Sequence, residues 1–297
     1  MNPLRLRVDV CTYQGLRDGV PEILRILRRH RARATFFVAF GPDSSGRAVF
    51  NLLKPAFARK MFRTNAAASY GLATALYGTF LPAPLIGSGR PSALRRILDD
   101  GHELGVHGWD HRRWQDDLDD YAPAKLASEF NRMCGAFEAV AGAPPSAFAA
   151  PAWRASPGLL ALEERRGFAY ASDARGSRPF IPEFGGRTYG VPQVPVTLPT
   201  LDECLGTMTA ADFGAEILKR SAAQAEYSCL AVHAETEGRA HRKVLEGILA
   251  RIGRSVEPLG TEPRKNLPAM RMAMADIPGR AFPVCVQQDG PSRPRSN

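Results

Sequence analysis

Long uninterrupted apolar runs are missing from this 297-residue chain. Its most apolar stretch, Leu72 to Ile86, is broken by Gly78, Pro82 and Pro84 and falls short of the ~20 residues that a membrane-spanning helix needs. No apolar leader precedes the alternating residues Leu4, Leu6, Val8 and Val10, so the expectation is a protein that begins in the cytoplasm. Cysteine is sparse. Cys11, Cys134, Cys204, Cys229 and Cys285 form an odd set without a CxxC pair, which argues against a disulfide scaffold and fits a reducing compartment. No Gly/Ser-rich or single-charge linker divides the middle, so the expectation is one catalytic domain over residues 1–260 and an extension over 261–297. That extension is rich in Pro and Arg, and its last dozen residues read as disordered.

What is present begins with enough apolar content, 44%, to bury one substantial core. The net charge of +9 asks for an anionic partner, nucleic acid or acidic lipid. Zinc-finger spacing, an aromatic RNA-recognition signature and a continuous basic helix are all absent, so nucleic acid is not expected and an anionic membrane surface is.

Short β-branched or aromatic runs alternate with amphipathic segments, the pattern of β/α units around a parallel sheet or barrel. Strands are expected at Leu4 to Val10, Ala34 to Phe40, Leu104 to His107, Ala147 to Ala150, Phe168 to Ser172, Gln193 to Leu198 and Cys229 to His233. Helices are expected near Ile23 to Leu27 and Ala93 to Leu98, then at Ala127 to Val140, Pro157 to Arg166 and Ala211 to Ser221. Asp9, His107, Asp173 and His233 fall where strands end, the edge at which β/α barrels build their sites. Segment 47–90 is far longer than a normal β/α connection. It interleaves Lys54, Arg59, Lys60 and Arg63 with Phe50, Phe57, Met61 and Phe62, so an amphipathic membrane-surface insertion is expected there.

The strongest local signal is Gly101-His-Glu-Leu-Gly-Val-His-Gly-Trp-Asp-His111, whose His107 and His111 are spaced i, i+4, a spacing that can bring two imidazoles together on one helical turn. Four further segments accompany it: Val8-Asp9-Val10-Cys11-Thr12, Ala150-Pro-Ala-Trp-Arg-Ala155, Tyr170-Ala-Ser-Asp173, and His233-Ala-Glu235-Thr-Glu237-Gly238. Singly, each has an ordinary explanation: a capping aspartate, a core Trp153, a surface Arg154, a structural strand-end histidine.

Taken in order and spacing, these five segments resemble the motifs of the polysaccharide deacetylase (NodB-homology) family. The strings RVDVCTY, KMFRTNAA, HGWDHRRWQ, YASDARGSRPF and HAETEG are similar to the 4-deoxy-4-formamido-L-arabinose-phosphoundecaprenol deformylases within it. The resemblance implies an α/β fold, a distorted (β/α)7-type barrel with an inserted amphipathic segment. It implies a metal-dependent hydrolase of amide C–N bonds that deformylates an undecaprenyl-phosphate-linked amino sugar, a step in lipid A modification and polymyxin resistance. The enzyme would sit peripherally on the inner face of the bacterial inner membrane. Asp9 then matches the catalytic base, His233 the general acid, and Arg154 and Asp173 the segments that orient them. His107 and His111 match metal ligands, and Trp153, Glu235 and Glu237 fall at the substrate. One divalent ion is implied, with Zn favoured and Co, Ni or Mn open.

One position departs from the family pattern. Where a second aspartate normally completes the metal triad, this chain has Cys11. Thiolate ligation would favour zinc over harder ions. A small packed residue beside a weakened two-histidine site is the other reading. Three functions therefore stay open: the deformylase, a deacetylase of another acylamino sugar, and a catalytically impaired homologue that binds the sugar or lipid.

Overall fold

Every residue of Leu4–Val10 (β1) is buried, as a central strand requires and a surface strand does not. Successive strand side chains point to opposite faces. Leu4, Leu6, Val8 and Val10 join the large apolar core, which also takes Ile23, Leu24 and Leu27 of helix α1 (Val20–His30). The alternate residues Arg5, Arg7 and Asp9 are buried as well. They share the other face with a smaller core of Phe37, Ala147, Ala149, Trp153, Tyr170 and Ala231.

The computed structural model describes residues 3–53, 73–224 and 226–288. After β1 come β2 (Thr35–Val38), β3 (Glu103–Val106), β4 (Ala147–Phe148), β5 (Tyr170–Ala171), β6 (Ile181–Phe184) and β7 (Arg187–Thr188). Then follow β8 (Cys229–His233), β9 (Val256–Glu257), β10 (Ala269–Ala275) and β11 (Val284–Gln287). The later helices are α2 (Pro91–Asp99), α3 (His111–Asp117), α4 (Pro123–Ala141), α5 (Pro157–Arg166), α6 (Leu201–Cys204), α7 (Ala210–Ala223) and α8 (Arg242–Ile252).

Seven strands form one curled sheet in the order β5-β4-β3-β2-β1-β8, with β9 also paired to β1. All its pairings are parallel. The α/β barrel-type architecture read from the sequence is therefore what the chain builds. The expected strand Gln193 to Leu198 is an extended segment with isolated bridges. Val194 N–H donates to Ala171 O at 2.7 Å on one side, and Leu198 N–H donates to Cys229 O at 3.0 Å on the other. This segment thus spans the gap between β5 and β8.

A second, mixed sheet orders β11-β10-β6-β7. Two of its strands lie in the segment read as an extension, and β10 pairs in parallel with β6 through Ala269↔Ile181. The residues from 289 on, which include most of the expected disordered dozen, lie outside the described residues, as do Lys54, Phe57, Arg59, Lys60, Met61, Phe62 and Arg63.

Local signals set the helix bounds. Ser156 caps α5 by accepting from Leu159 N–H, Pro157 occupies its first turn, and Gly167 ends it at φ 69°, the left-handed conformation glycine adopts without strain.

His102, at the entry to β3, is 7% exposed and tilts against Phe36 with ring centroids 5.4 Å apart. Burial disfavours its charged form and lowers its pKa from 6.5 to about 4. The unfolded chain therefore binds a proton here that the folded chain refuses. Stability should be insensitive to this group above pH 6.5 and fall as the pH drops from there toward about 4. In urea titrations at pH 7 and pH 5, His102→Gln should lose less stability between the two than the parent does. An identical loss in both proteins would remove His102 from the acid response.

Candidate metal centre

Three donors converge at the C-terminal edge of the sheet. Cys11 follows β1, His107 follows β3 and His111 opens α3, and their ligand atoms all lie within 4.8 Å of one another. The two histidines do not share a helical turn as their spacing had suggested. Gly108, at φ 77°, reverses the chain between them, and a Cβ there would meet Pro151 Cγ at 2.9 Å. The imidazole centroids end 5.0 Å apart. His107 Nδ1 is 2.7 Å from the Ala149 carbonyl, so Nδ1 carries the proton and Nε2 is left with its lone pair for a metal. Burial lowers the pKa of His107 to about 4 and that of His111 well below the ordinary value, which keeps both rings neutral. Bonds of ~2.0–2.3 Å in a tetrahedron put donor atoms about 3.4–3.8 Å apart, so a modest contraction would close the set on an ion. One thiol and two imidazoles suit a divalent, zinc-like ion in charge and softness.

Asp9 lies beside this cluster, its Oδ2 3.9 Å from His107 Nε2. Burial would raise its pKa, but the Arg7 guanidinium and then His107 overcome that and bring it down to about 2. Arg7 Nε donates to Oδ1 at 2.6 Å and Nη2 to Oδ2 at 2.9 Å, a bidentate pair on side chains that are almost wholly buried. Its remaining nitrogen donates to the carbonyl oxygen of Ser172 at 2.5 Å and to its hydroxyl at 3.1 Å. The guanidinium also stacks over Phe37 and Trp153 at 5.2 and 5.1 Å.

Arg7 escaped the sequence reading, although strand periodicity puts residues two apart on one face. Arg154, expected near the base, donates instead to Gln115 O at 3.0 Å and to the Asp119 carboxylate. Trp153, expected at the substrate, is 1% exposed and packs against Arg7, Arg175 and Arg280. Its ring is a wall for three cations rather than an open platform.

His233 is the ladder partner of Asp9 across β1 and β8, so the two side chains leave the same face of neighbouring strands. The carboxylates after it reach backward. Glu235 Oε1 accepts from Cys11 N–H at 2.8 Å, Thr12 N–H at 2.8 Å and Thr12 Oγ1 at 2.9 Å, which fixes the turn that carries the thiol. Gly15 permits this approach, since a Cβ there would come within 2.1 Å of Glu235 Oε1. Glu237 Oε2 accepts from His233 N–H at 2.9 Å. Both carboxylates thus brace backbone. Burial raises the pKa of each, Glu237 to about 7.

Asp173 is fully buried, accepts from Ala150 N–H at 2.7 Å and Gln193 Nε2 at 2.9 Å, and interacts electrostatically with the buried Glu163. Burial and then the Asp173 charge push Glu163 well above the usual carboxylate range. The pair fixes Ala150, the residue after the carbonyl that orients His107.

Burial, with Glu235 and Asp9 adding to it, also pushes the Cys11 thiol well up, so binding a metal should expel its proton. A protein loaded with Co(II) should show a sulfur-to-cobalt charge-transfer band and release protons on loading. Both should disappear in Cys11→Ser, and Cys11→Asp should bind the ion without the band. A band unchanged in Cys11→Ser would remove the sulfur from the ligand set.

The polysaccharide deacetylase family model matches residues 6–171. A Shewanella sediminis protein named "Probable 4-deoxy-4-formamido-L-arabinose-phosphoundecaprenol deformylase ArnD" is 41% identical over 235 residues, covering 78% of this chain and 75% of its own. A Wigglesworthia glossinidia brevipalpis protein of the same name is 33% identical over 92% of this chain and 98% of its own. Among solved structures, a Mycobacterium smegmatis protein assigned to the polysaccharide deacetylases superposes with a TM-score of 0.57 at 17% identity, over 86% of this chain and 90% of that one. On the family match and these two relatives, the chain belongs to the polysaccharide deacetylase family.

Proposed function

We propose that the protein hydrolyses the formamide of undecaprenyl-phosphate-linked 4-deoxy-4-formamido-L-arabinose, releasing formate and the free amino sugar lipid. The observation that carries this reading is a carboxylate held ionised, Asp9, 3.9 Å from a neutral imidazole in a Cys11, His107, His111 donor set. Amide hydrolysis asks for a base, an acid and a carbonyl polariser within one small space. A bound divalent ion, which we take to be zinc, would polarise the formyl oxygen and acidify a water.

The chain's own residues supply the rest. Asp9 takes the proton from the attacking water, and Arg7, bound to both of its oxygens, fixes its orientation. His233, one strand away, delivers a proton to the departing nitrogen, because an amine leaves poorly until protonated. Glu237 holds the His233 backbone and Glu235 the Cys11 turn; Asp173 supports the loop behind His107. The ArnD names of the two relatives favour the formyl substrate over other acylamino sugars. The step they name belongs to lipid A modification. Zinc-loaded protein should release formate from the intact lipid-linked substrate, and Asp9→Asn should retain the metal while turning over about 100-fold more slowly. Metal-loaded protein without turnover would leave the impaired, binding-only reading.

We also propose that it works peripherally at the cytoplasmic face of an anionic membrane. No helix among the described residues is long and apolar enough to cross a membrane. The stems of the 47–90 insertion expose Val49, Phe50, Phe80, Leu81 and Leu85, with Phe80 83% exposed. Basic residues between such stems add about 1 kcal/mol each near an anionic surface. Flotation should therefore require anionic vesicles, weaken with salt and vanish when Lys54, Arg59, Lys60 and Arg63 are all replaced by Ser. Equal flotation of that variant would sink the membrane assignment.

A further inference from the structure

A cation with no ion-pair partner among the described residues stands one hydrogen bond from Tyr13, two residues past Cys11. Arg90 is the residue before α2, where helices favour Asp, Ser, Thr or Asn because the N-terminal amides and the dipole are positive there. No side chain caps this helix, and Pro91 begins it. Adding a guanidinium at that point is unfavourable unless an anion joins it.

The surroundings do not supply one. Arg90 Nη1 donates to the Tyr13 hydroxyl at 3.0 Å, and the guanidinium carbon sits 5.5 Å from the centroid of that ring. Its Nε is buried without a hydrogen-bond partner. No carboxylate among the described residues lies within ion-pair distance. Asp18, which feels the Arg90 charge, is bound at both oxygens by Arg17 at 2.7 Å. Arg17 in turn faces the same Tyr13 ring at 6.0 Å. That pair is exposed, so an incoming anion can compete for Arg17 at little cost.

The cluster borders the catalytic edge. Tyr13 is two residues past Cys11, at most about 7 Å along the chain, and its N–H donates to Asp43 at 2.8 Å. The turn before Arg90 is bonded to the end of β2 through Gly87 N–H to Ala39 O and Ser88 N–H to Phe40 O. On the far side, the exposed Phe80, Leu81 and Leu85 lead into the same turn, and Leu85 pairs with Pro42 next to Asp43. Through the chain and its hydrogen bonds, the Cys11 turn is thus joined to the Tyr13–Arg90 contact, and that to the exposed apolar residues Phe80, Leu81 and Leu85.

We infer that Arg90, with the uncapped start of α2, Tyr13 and Arg17, binds the phosphate of a polyprenyl phosphodiester. This rests on the deformylase reading for its substrate class. A pyranose carries its 1- and 4-substituents on opposite sides of the ring. A phosphate held at Arg90 would therefore present the distal formamide to Asp9 and direct the prenyl chain to the rim. A planar, weakly hydrated guanidinium with no acid partner suits phosphate oxygens.

The test measures binding without turnover, using farnesyl phosphate, farnesol and inorganic phosphate on the metal-loaded full chain in neutral detergent. The parent should bind farnesyl phosphate at least 10-fold more tightly than farnesol, and more weakly as salt rises. Arg90→Gln should erase that preference, and Arg90→Lys should keep part of it. Tyr13→Phe, which removes only the hydroxyl that Arg90 holds, should reduce it if Arg90→Gln fails to fold. An unchanged preference in Arg90→Gln, or in Tyr13→Phe when only that variant folds, overturns the subsite. Inorganic phosphate binding as tightly as farnesyl phosphate overturns the prenyl assignment. Formate release by the parent, measured separately, decides the deformylase reading: activity with no phosphate preference sinks only the subsite, and the reverse sinks only the reaction.

Discussion

The buried pair between Arg7 and Asp9 is the constraint on which the rest of the site depends. Two opposite charges occupy the inner face of β1, where a β/α barrel would ordinarily place aliphatic side chains. Removing either partner would strand the other in a low-dielectric interior, at about 3–5 kcal/mol. The pair stays affordable because every Arg7 nitrogen is hydrogen-bonded and both ring faces nearby are aromatic. Its result is a carboxylate whose orientation and ionisation are set by the strand itself. The base proposed above would need no loop to arrive in order to become competent.

A similar economy runs through the segment after β8. Within five residues it gives His233, Glu235 and Glu237, and each has a separate task. The histidine sits beside Asp9 across the ladder. One carboxylate secures the turn bearing the thiol, and the other secures the histidine's own backbone. The Cys11 turn and the His233 backbone are thereby each held by a carboxylate side chain of this one segment.

Much of this was legible in the sequence because period and punctuation are local. Strands Leu4–Val10 and Cys229–His233 and helix Pro157–Arg166 fall where alternation and the Ser-Pro start place them. The donors His107 and His111 were legible as a pair, but their route was not. Gly108 substitutes a left-handed turn for the expected helical one, and nothing in HxxxH spacing distinguishes the two. Arg7 was hidden because a strand arginine ordinarily faces solvent, whereas here both faces of β1 are interior. Arg154 and Trp153 carried the right motif and other contacts, since motif order says which segments meet and not which atoms. Strands β10 and β11 were missed because a tail rich in proline and arginine earns its order from a distant partner, Ile181–Phe184.

The position of β1 has a consequence for how the molecule comes into being. Strand β1 is made well before its neighbours β8 and β9, with Leu4 aligned on Val256. All three donor residues precede them, the last at His111. At ~5–20 residues per second, Glu235 leaves the ribosome on the order of ten seconds after His111. During that interval the nascent chain holds a thiol and two imidazoles with no carboxylate to brace the thiol's turn. The order of synthesis therefore places the thiol and both imidazoles in the chain before the carboxylate that braces the Cys11 turn.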